Sequence, residues 1–346
     1  MKRTVILSYD VGGSTMTKAL PNEKKGAFCP TLSLGIWLLG FLALFSLLLL
    51  LRNAELAIRS MTGALRLCAT TLIPSLFPFM VLSEVIVTTG AGIPLGKLIR
   101  RPLHFLFGVN ESGGSAILLG LLCGFPVGSR CILSLYRNGA IDRRDAEYLL
   151  TFCNTPSSAF LVSTVGVSLF HSRSFGYLLL GTTLLSALLT GILGNLFRKK
   201  PSLASTRSQT PPPTLTRSEE KVSVILSSAI QTSALSMLKI CAFVVFFSTV
   251  VAAFGAILSR FSIHPLILSL LLGLWEMTGG VQSSAALSVY SHEICAALIG
   301  WSGFSVHLQM IGLCDGAPLS FRPYFGARLL QGVLNFTLIF LALRLF

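Results

Sequence analysis

The sequence predicts an all-α integral membrane protein of about eight hydrophobic helices, some of them broken or re-entrant, in two pseudo-symmetric repeats. Three observations carry this. Of the 346 residues, 53% are hydrophobic and only 12% charged, about half the charged share of a soluble domain, which is near 25%; the mean hydropathy is +0.77. Several runs approach the roughly 20 apolar residues that cross a bilayer, most clearly Leu34–Leu51, Phe175–Phe197 and Gly326–Phe346. Finally, Leu118-Leu119-Gly120-Leu121 leading into Cys123-Gly124-Phe125-Pro126-Val127-Gly128 has a later counterpart, Leu271-Leu272-Gly273-Leu274 leading into Trp275-Glu276-Met277-Thr278-Gly279-Gly280. Duplicated, interrupted apolar helices mark transporter-type folds with the site at the breaks. A helix that stops inside a bilayer leaves backbone groups that only protein, water or a ligand can satisfy.

Residues 1–33 form a polar tail holding Lys2, Arg3, Lys18, Lys24 and Lys25. Within it, Asp10-Val11-Gly12-Gly13-Ser14-Thr15 faintly resembles a phosphate-binding turn, but no strand–helix context surrounds it and an irregular tail is expected. Met16 offers an alternative start. Residues 34–52 read as an uncleaved first transmembrane helix, because no small-residue cleavage site follows them.

Residues 53–198 form the first repeat. Over Asn53–Thr71 the apolar positions Leu56, Met61, Leu65, Leu67 and Leu72 alternate with Arg52, Arg59 and Arg66, the pattern of an amphipathic helix at the interface or packed on the bundle. Pro74 and Pro78 are expected to interrupt it before the apolar run Leu76–Val87, and Lys97, Arg100 and Arg101 mark a basic loop. Ser115–Tyr136 is apolar but split by Gly124–Gly128. A helix opens at Asp142-Arg143-Arg144-Asp145-Ala146-Glu147, with acids where the helix dipole prefers them, and stops at Asn154-Thr155-Pro156-Ser157-Ser158. Ala159–Phe170 and Phe175–Phe197 complete the repeat.

Residues 199–221, with Pro211-Pro212-Pro213 and many Ser and Thr, read as a flexible cytoplasmic linker. Residues 222–346 repeat the first half in order: Ile240–Gly255 matches Ser75–Gly90, Glu293 with Gly300-Trp301-Ser302-Gly303-Phe304 matches Glu147 with Asn154–Ser158, and Gly326–Phe346 matches Gly176–Phe197.

The net charge of +14 fits Lys and Arg flanking spans on the cytoplasmic side; without an aromatic-interleaved basic patch, no nucleic-acid partner is expected. The eight cysteines form no CxxC pair and read as small core residues. No metal or other cofactor is expected. There is no HExxH site, because no second His follows His292-Glu293 at that spacing, and no GxSxG elbow or Walker loop; the chain is not expected to be an enzyme.

The candidate site residues lie at the breaks: Gly124, Pro126 and Gly128 in the first, Asn154, Thr155 and Ser157 in the second, Glu276, Gly279 and Gly280 in the third, and Ser302 in the fourth. Glycine admits unusual backbone angles and proline removes a hydrogen bond, so broken helix ends can face a solute; the same glycines also suit close packing of small residues. Asn154–Ser158 clusters polar groups that can bind a solute without net charge, or forms an ordinary turn at the membrane surface. Trp301 is a hairpin-tip residue or an interfacial anchor. Glu84, Arg130, Lys239, Glu276, His307 and Asp315 are ionisable residues in apolar context, functional by default. Glu84 or Glu276 could bind a cation, relay a proton or contact a solute; equally, Glu276 could pair with Arg130 across the repeat, and Lys239 could snorkel to an interface.

Ser75-Leu76-Phe77-Pro78-Phe79 with Ser83-Glu84, Gly120-Leu121-Leu122-Cys123-Gly124-Phe125-Pro126-Val127-Gly128-Ser129, and Asn138-Gly139 leading through Glu147 to Leu150-Thr151-Phe152-Cys153-Asn154-Thr155 together resemble the YlbJ-type sporulation integral membrane proteins. That family carries the nucleoside recognition, or Gate, domain. The resemblance covers roughly Leu51 to the C-terminus and implies a multi-pass cytoplasmic-membrane protein of a spore-forming bacterium, with permease-like recognition or passage of a small, nucleoside-like solute. The alternative is a non-transporting scaffold for spore envelope assembly. Partners implied are the lipid bilayer, a small solute, and a homo-oligomer or other sporulation membrane proteins. Two departures stand out: the long N-terminal tail and the diverged Gly-Phe-Pro block of the second half.

Overall fold

The computed structural model describes residues 6–11, 14–19, 34–89, 100–198, 222–261, 263–314 and 316–345. The expected linker 199–221, Lys97 and Asp315 lie outside them. Residues 1–49 and 50–346 form two compact units. In the first, β1 (Ile6–Val11) pairs antiparallel with β2 (Ser14–Ala19), with Val11 opposite Ser14. This pairing differs from the expectation of an irregular tail; residues 12 and 13, which join the strands, lie outside the described ones. The helix α1 (Leu34–Arg52) follows, apolar on all sides as a lipid-facing span must be.

Among the described residues, the regular elements of the second unit are all helices. It opens with α2 (Ala54–Leu67) and α3 (Ile73–Thr89), joined by a π-turn over Cys68–Leu72. Pro74 and Pro78 therefore do not interrupt the span as expected. The wider turn falls just where Pro74 offers no N–H, and the Ser75 hydroxyl donates to the Thr71 carbonyl at 2.6 Å. Ala54–Ile86 is consequently one candidate span of 33 residues. Of the two placements open for the amphipathic helix, packing on the bundle holds: α2 lies along α9 (Val222–Leu258), with the Ser60 hydroxyl donating to the Ser248 carbonyl at 3.1 Å.

Two similar series of elements follow. The first runs α4 (Arg100–Phe107), α5 (Glu111–Cys123), α6 (Val127–Arg137), α7 (Arg143–Phe152), a π-helix (Phe160–Leu169) and α8 (Arg173–Phe197). After α9, the second runs α10 (Pro265–Trp275), α11 (Met277–Ala285), α12 (Ser291–Trp301), α13 (Gly303–Leu313) and α14 (Arg322–Leu345). Each series is a helix broken after about three turns, a short turn (138–142 or 286–290), a second broken helix, and a long closing span. Side chains cap the ends where backbone donors are orphaned: Asn110, Asp142 and Ser172 each accept an N–H three residues on.

Among the described residues, six helices are long and apolar enough to cross a membrane, or seven if the α4–α5 pair, bent by 87°, counts as one span. The π-helix and α10 are shorter apolar pieces. The two series do not form separate domains. Met310 and Tyr324 of the second join the core built on Ile117, Ile132 and Phe152 of the first, while Phe160, Leu161 and Leu179 of the first join the core around Ile294 and Leu298 of the second.

Candidate functional site

Four interruptions come together in the middle of this interlocked bundle. At the first, Gly124 ends α5 with φ +69° and Pro126 starts α6. The Phe125 N–H leaves its helix and donates to the Thr155 carbonyl of the second break at 2.8 Å. A Cβ on Gly124 would stand 2.7 Å from that same carbonyl oxygen and 2.8 Å from the Ser157 Cα. Glycine is required twice over here, for its backbone angle and for the close approach.

In the second half, Glu276 alone breaks the third helix. It ends α10 and caps α11, its carboxylate accepting the Thr278 N–H at 2.9 Å and the Gly279 N–H. Ser302 breaks the fourth with φ +76°, followed by Gly303 at φ +78°. Gly303 packs on the Met277 backbone, where a Cβ would meet the amide nitrogen at 2.8 Å. The third and fourth breaks thus touch as the first and second do.

The remaining glycines separate by role. Gly128 lies inside α6 against the Cys153 carbonyl and the Gly120 Cα, and Gly280 lies inside α11 against the Gly273 Cα. Both are close-packing positions rather than parts of a break. Gly279, the first-turn donor to Glu276, faces the carboxylate that it binds.

The Asn154 side chain accepts from the Ser129 hydroxyl and donates to the Leu150 carbonyl at 2.7 Å, and its own main-chain oxygen accepts from Arg328 at 2.8 Å. Arg328 sits on α14, is 1% exposed, and also donates to the Ser302 hydroxyl and to Gln331. One guanidinium therefore joins the second break to the fourth. Gln331 donates to the Thr151 carbonyl at 3.0 Å, and Asn335 to the Ala296 carbonyl at 2.9 Å and to Thr183. Arg328, Gln331 and Asn335 stand at i, i+3 and i+7, one polar face on an otherwise apolar helix. That spacing is a signal readable in the sequence, although a mean hydropathy over the span averages the stripe away.

A cavity of about 70 Å³ lies at the breaks, lined by Phe125, Asn154, Ser157, Glu276, Ser302 and Ser305 together with the apolar Leu72, Ile240 and Val244. The hydroxyls of Thr155 and Ser305 are buried with no hydrogen-bond partner among the described residues. Buried polar atoms of this kind are normally satisfied. Beside them, His307 is fully buried, its Nδ1 3.0 Å from the Tyr324 hydroxyl and its Nε2 without a partner, enclosed by the rings of Trp301, Tyr324 and Phe325. Trp301 itself is no exposed anchor; its indole N–H donates to the Leu274 carbonyl at 3.0 Å.

The pairing of Glu276 with Arg130 does not form. Arg130 instead meets Glu84 of α3 at 3.3 Å and the Ser236 hydroxyl of α9. Glu84 lies on an element that packs on α6, whereas the Glu276 carboxylate is held by N–H groups of α11 and by the Ser248 hydroxyl of α9. Lys239 is exposed on α9. Of the ten residues proposed from sequence, Asn154, Ser157, Glu276 and Ser302 line the cavity. Gly124, Pro126 and Thr155 shape its walls, and Gly128, Gly279 and Gly280 support the helices around it. Among the described residues, no group of three or more His, Cys, Asp or Glu is placed to hold a metal ion.

Comparison with curated proteins finds one similar in both extent and identity. The chain is 30% identical over 289 residues to the sporulation integral membrane protein YlbJ of Bacillus subtilis (strain 168), covering 75% of this chain and 71% of that protein. No family model matches the chain, and no solved structure matches it.

Proposed function

The chain belongs to the YlbJ family of sporulation integral membrane proteins, and we propose that it is a permease for a small anionic solute in a cell membrane of a spore-forming bacterium. The observation that carries this reading is Arg328. It is a buried guanidinium at the meeting of two helix breaks, with no carboxylate within ion-pair distance among the described residues. Its recorded acceptors, the Asn154 carbonyl, the Ser302 hydroxyl and the Gln331 amide oxygen, are all neutral. Charge buried in a membrane protein is costly and marks solute pathways, and a guanidinium is the side chain best shaped to bind carboxylate or phosphate.

A neutral nucleoside offers that guanidinium no anionic partner, so the site favours an anion over the nucleoside suggested by the Gate resemblance. The cavity of about 70 Å³ holds a few waters and is smaller than a solute pocket. Passage then requires the break segments to part, which suits a closed state in an alternating cycle. The same small volume favours a second reading, a scaffold in which Arg328 only ties the two halves together.

The test is thermal stabilisation of the detergent-purified protein by a panel of dipicolinate, succinate, inorganic phosphate, amino acids, nucleosides and divalent metals. A ligand that binds only the folded state raises the melting point in proportion to the logarithm of its excess over Kd. Anions are expected to do so and nucleosides not. Stabilisation by nucleosides alone would overturn the anion reading, and no shift from any probe would favour the scaffold.

A further inference from the structure

Glu276 and Arg328 are charged side chains that are each only 1% exposed, and they flank the same breaks. Ser302, which accepts from Arg328, precedes Gly303, whose α-carbon packs on the Glu276–Met277 peptide. Yet the two form no ion pair with each other, nor does either with any other described residue. Empty, the site holds one positive and one negative group and is neutral. An anion docked on Arg328 leaves it with excess negative charge in a medium where such charge is expensive.

The cheapest compensation is a proton. A metal cation is poorly suited to Glu276, because both its oxygens already face the N–H groups of Thr278 and Gly279 at the positive end of α11. Titratable groups on the surrounding elements include the thiols of Cys68 on the π-turn, Cys241 on α9 and Cys295 on α12, His292 and Glu293 at the start of α12, the imidazole of His307 on α13, and Arg328 on α14; Glu84 on α3 is held by Arg130. None of these lines the cavity, whereas Glu276 does, together with the hydroxyl of Ser305, which is 1% exposed and has no partner among the described residues.

We propose that Glu276 is the proton site that couples to anion binding, so that an anion at Arg328 and a proton on Glu276 bind together and cross together. The proposal rests on the anion reading of the cavity. Linkage makes the coupling reciprocal: the proton leaves water for the Glu276 carboxylate as the anion docks, and returns to water when the anion leaves. Anion affinity must then fall as pH rises, by at most about tenfold per pH unit for one linked proton.

The experiment is titration calorimetry of the full-length protein with succinate and with dipicolinate, in buffers of different ionisation heat, across pH 6.5 to 8.5, where both probes are dianions and exchange few protons of their own. The wild type is expected to take up as much as one proton per anion, with a maximum at an intermediate pH. Glu276→Gln is expected to bind succinate with pH-independent affinity and no uptake, and Glu276→Asp to restore uptake. Anion binding without proton uptake in the wild type overturns the coupling while leaving the anion reading intact, and this holds even if the Gln variant does not fold. Uptake that persists in Glu276→Gln places the proton elsewhere, on His307 first, and also overturns it. Absence of any anion binding overturns both.

Discussion

Arg328 donates to the main-chain oxygen of Asn154 at 2.8 Å, across 174 residues of sequence. The last helix of the second series thereby holds the second break of the first, and through Ser302 the fourth break as well. Three unrelated segments depend on one side chain that forms no ion pair among the described residues. This explains why an arginine is tolerated in the middle of an apolar helix, and why its replacement should be felt at both breaks at once.

The glycine assignments predict a sharp contrast. Gly128→Ala and Gly280→Ala each drive a methyl group into backbone, at Cys153 and Gly273 respectively, and should cost about 1–3 kcal/mol or more. Gly181→Ala and Gly312→Ala meet nothing within 4 Å and should be neutral or slightly stabilising, since Ala favours a helix over Gly. Melting temperatures of the four variants in one detergent decide the matter; equal losses in all four would refute the close-packing assignment.

Ser302 combines a strained backbone with a useful hydroxyl. Ser302→Gly and Ser302→Ala both remove the acceptor for Arg328, but only glycine relieves the left-handed conformation at φ +76°. The glycine variant should therefore be the more stable by about 1 kcal/mol. Alanine equal to or better than glycine would mean that residue 302 does not hold this angle.

The ion-pair correction is open to a double-mutant cycle. Glu84→Gln combined with Arg130→Met should show a coupling energy of roughly 1 kcal/mol for this half-buried pair. Glu276→Gln combined with Arg130→Met should be additive within about 0.5 kcal/mol. The reverse result would restore the pairing of Arg130 with Glu276.

The breaks were legible because they rest on local chemistry. Gly124-Phe125-Pro126 cannot continue a helix, and Asn154-Thr155-Pro156 cannot either. What depends on neighbours distant in sequence was not legible. The same residue type serves as hinge at Gly124 and as packing surface at Gly128, and only the facing Cys153 carbonyl tells them apart. The sequence suggested Glu276 as a partner for Arg130, and topology instead places Glu84 beside it. Other features had a signal of their own. Arg328, Gln331 and Asn335 share a helical face, and Gly12-Gly13 between short strands is a hairpin pattern. Reading a span by average hydropathy, or a tail by its polarity, hides both.

If the cavity at the breaks passes an anion through contact with Arg328, uptake into proteoliposomes must depend on that residue. Radiolabelled dipicolinate and succinate should enter vesicles containing the wild-type protein faster than protein-free vesicles. Uptake should fall at least tenfold for Arg328→Met, with Gly312→Ala unaffected as a control for reconstitution. Uptake of neither anion, or uptake unchanged in a correctly folded Arg328→Met protein, would contradict the account.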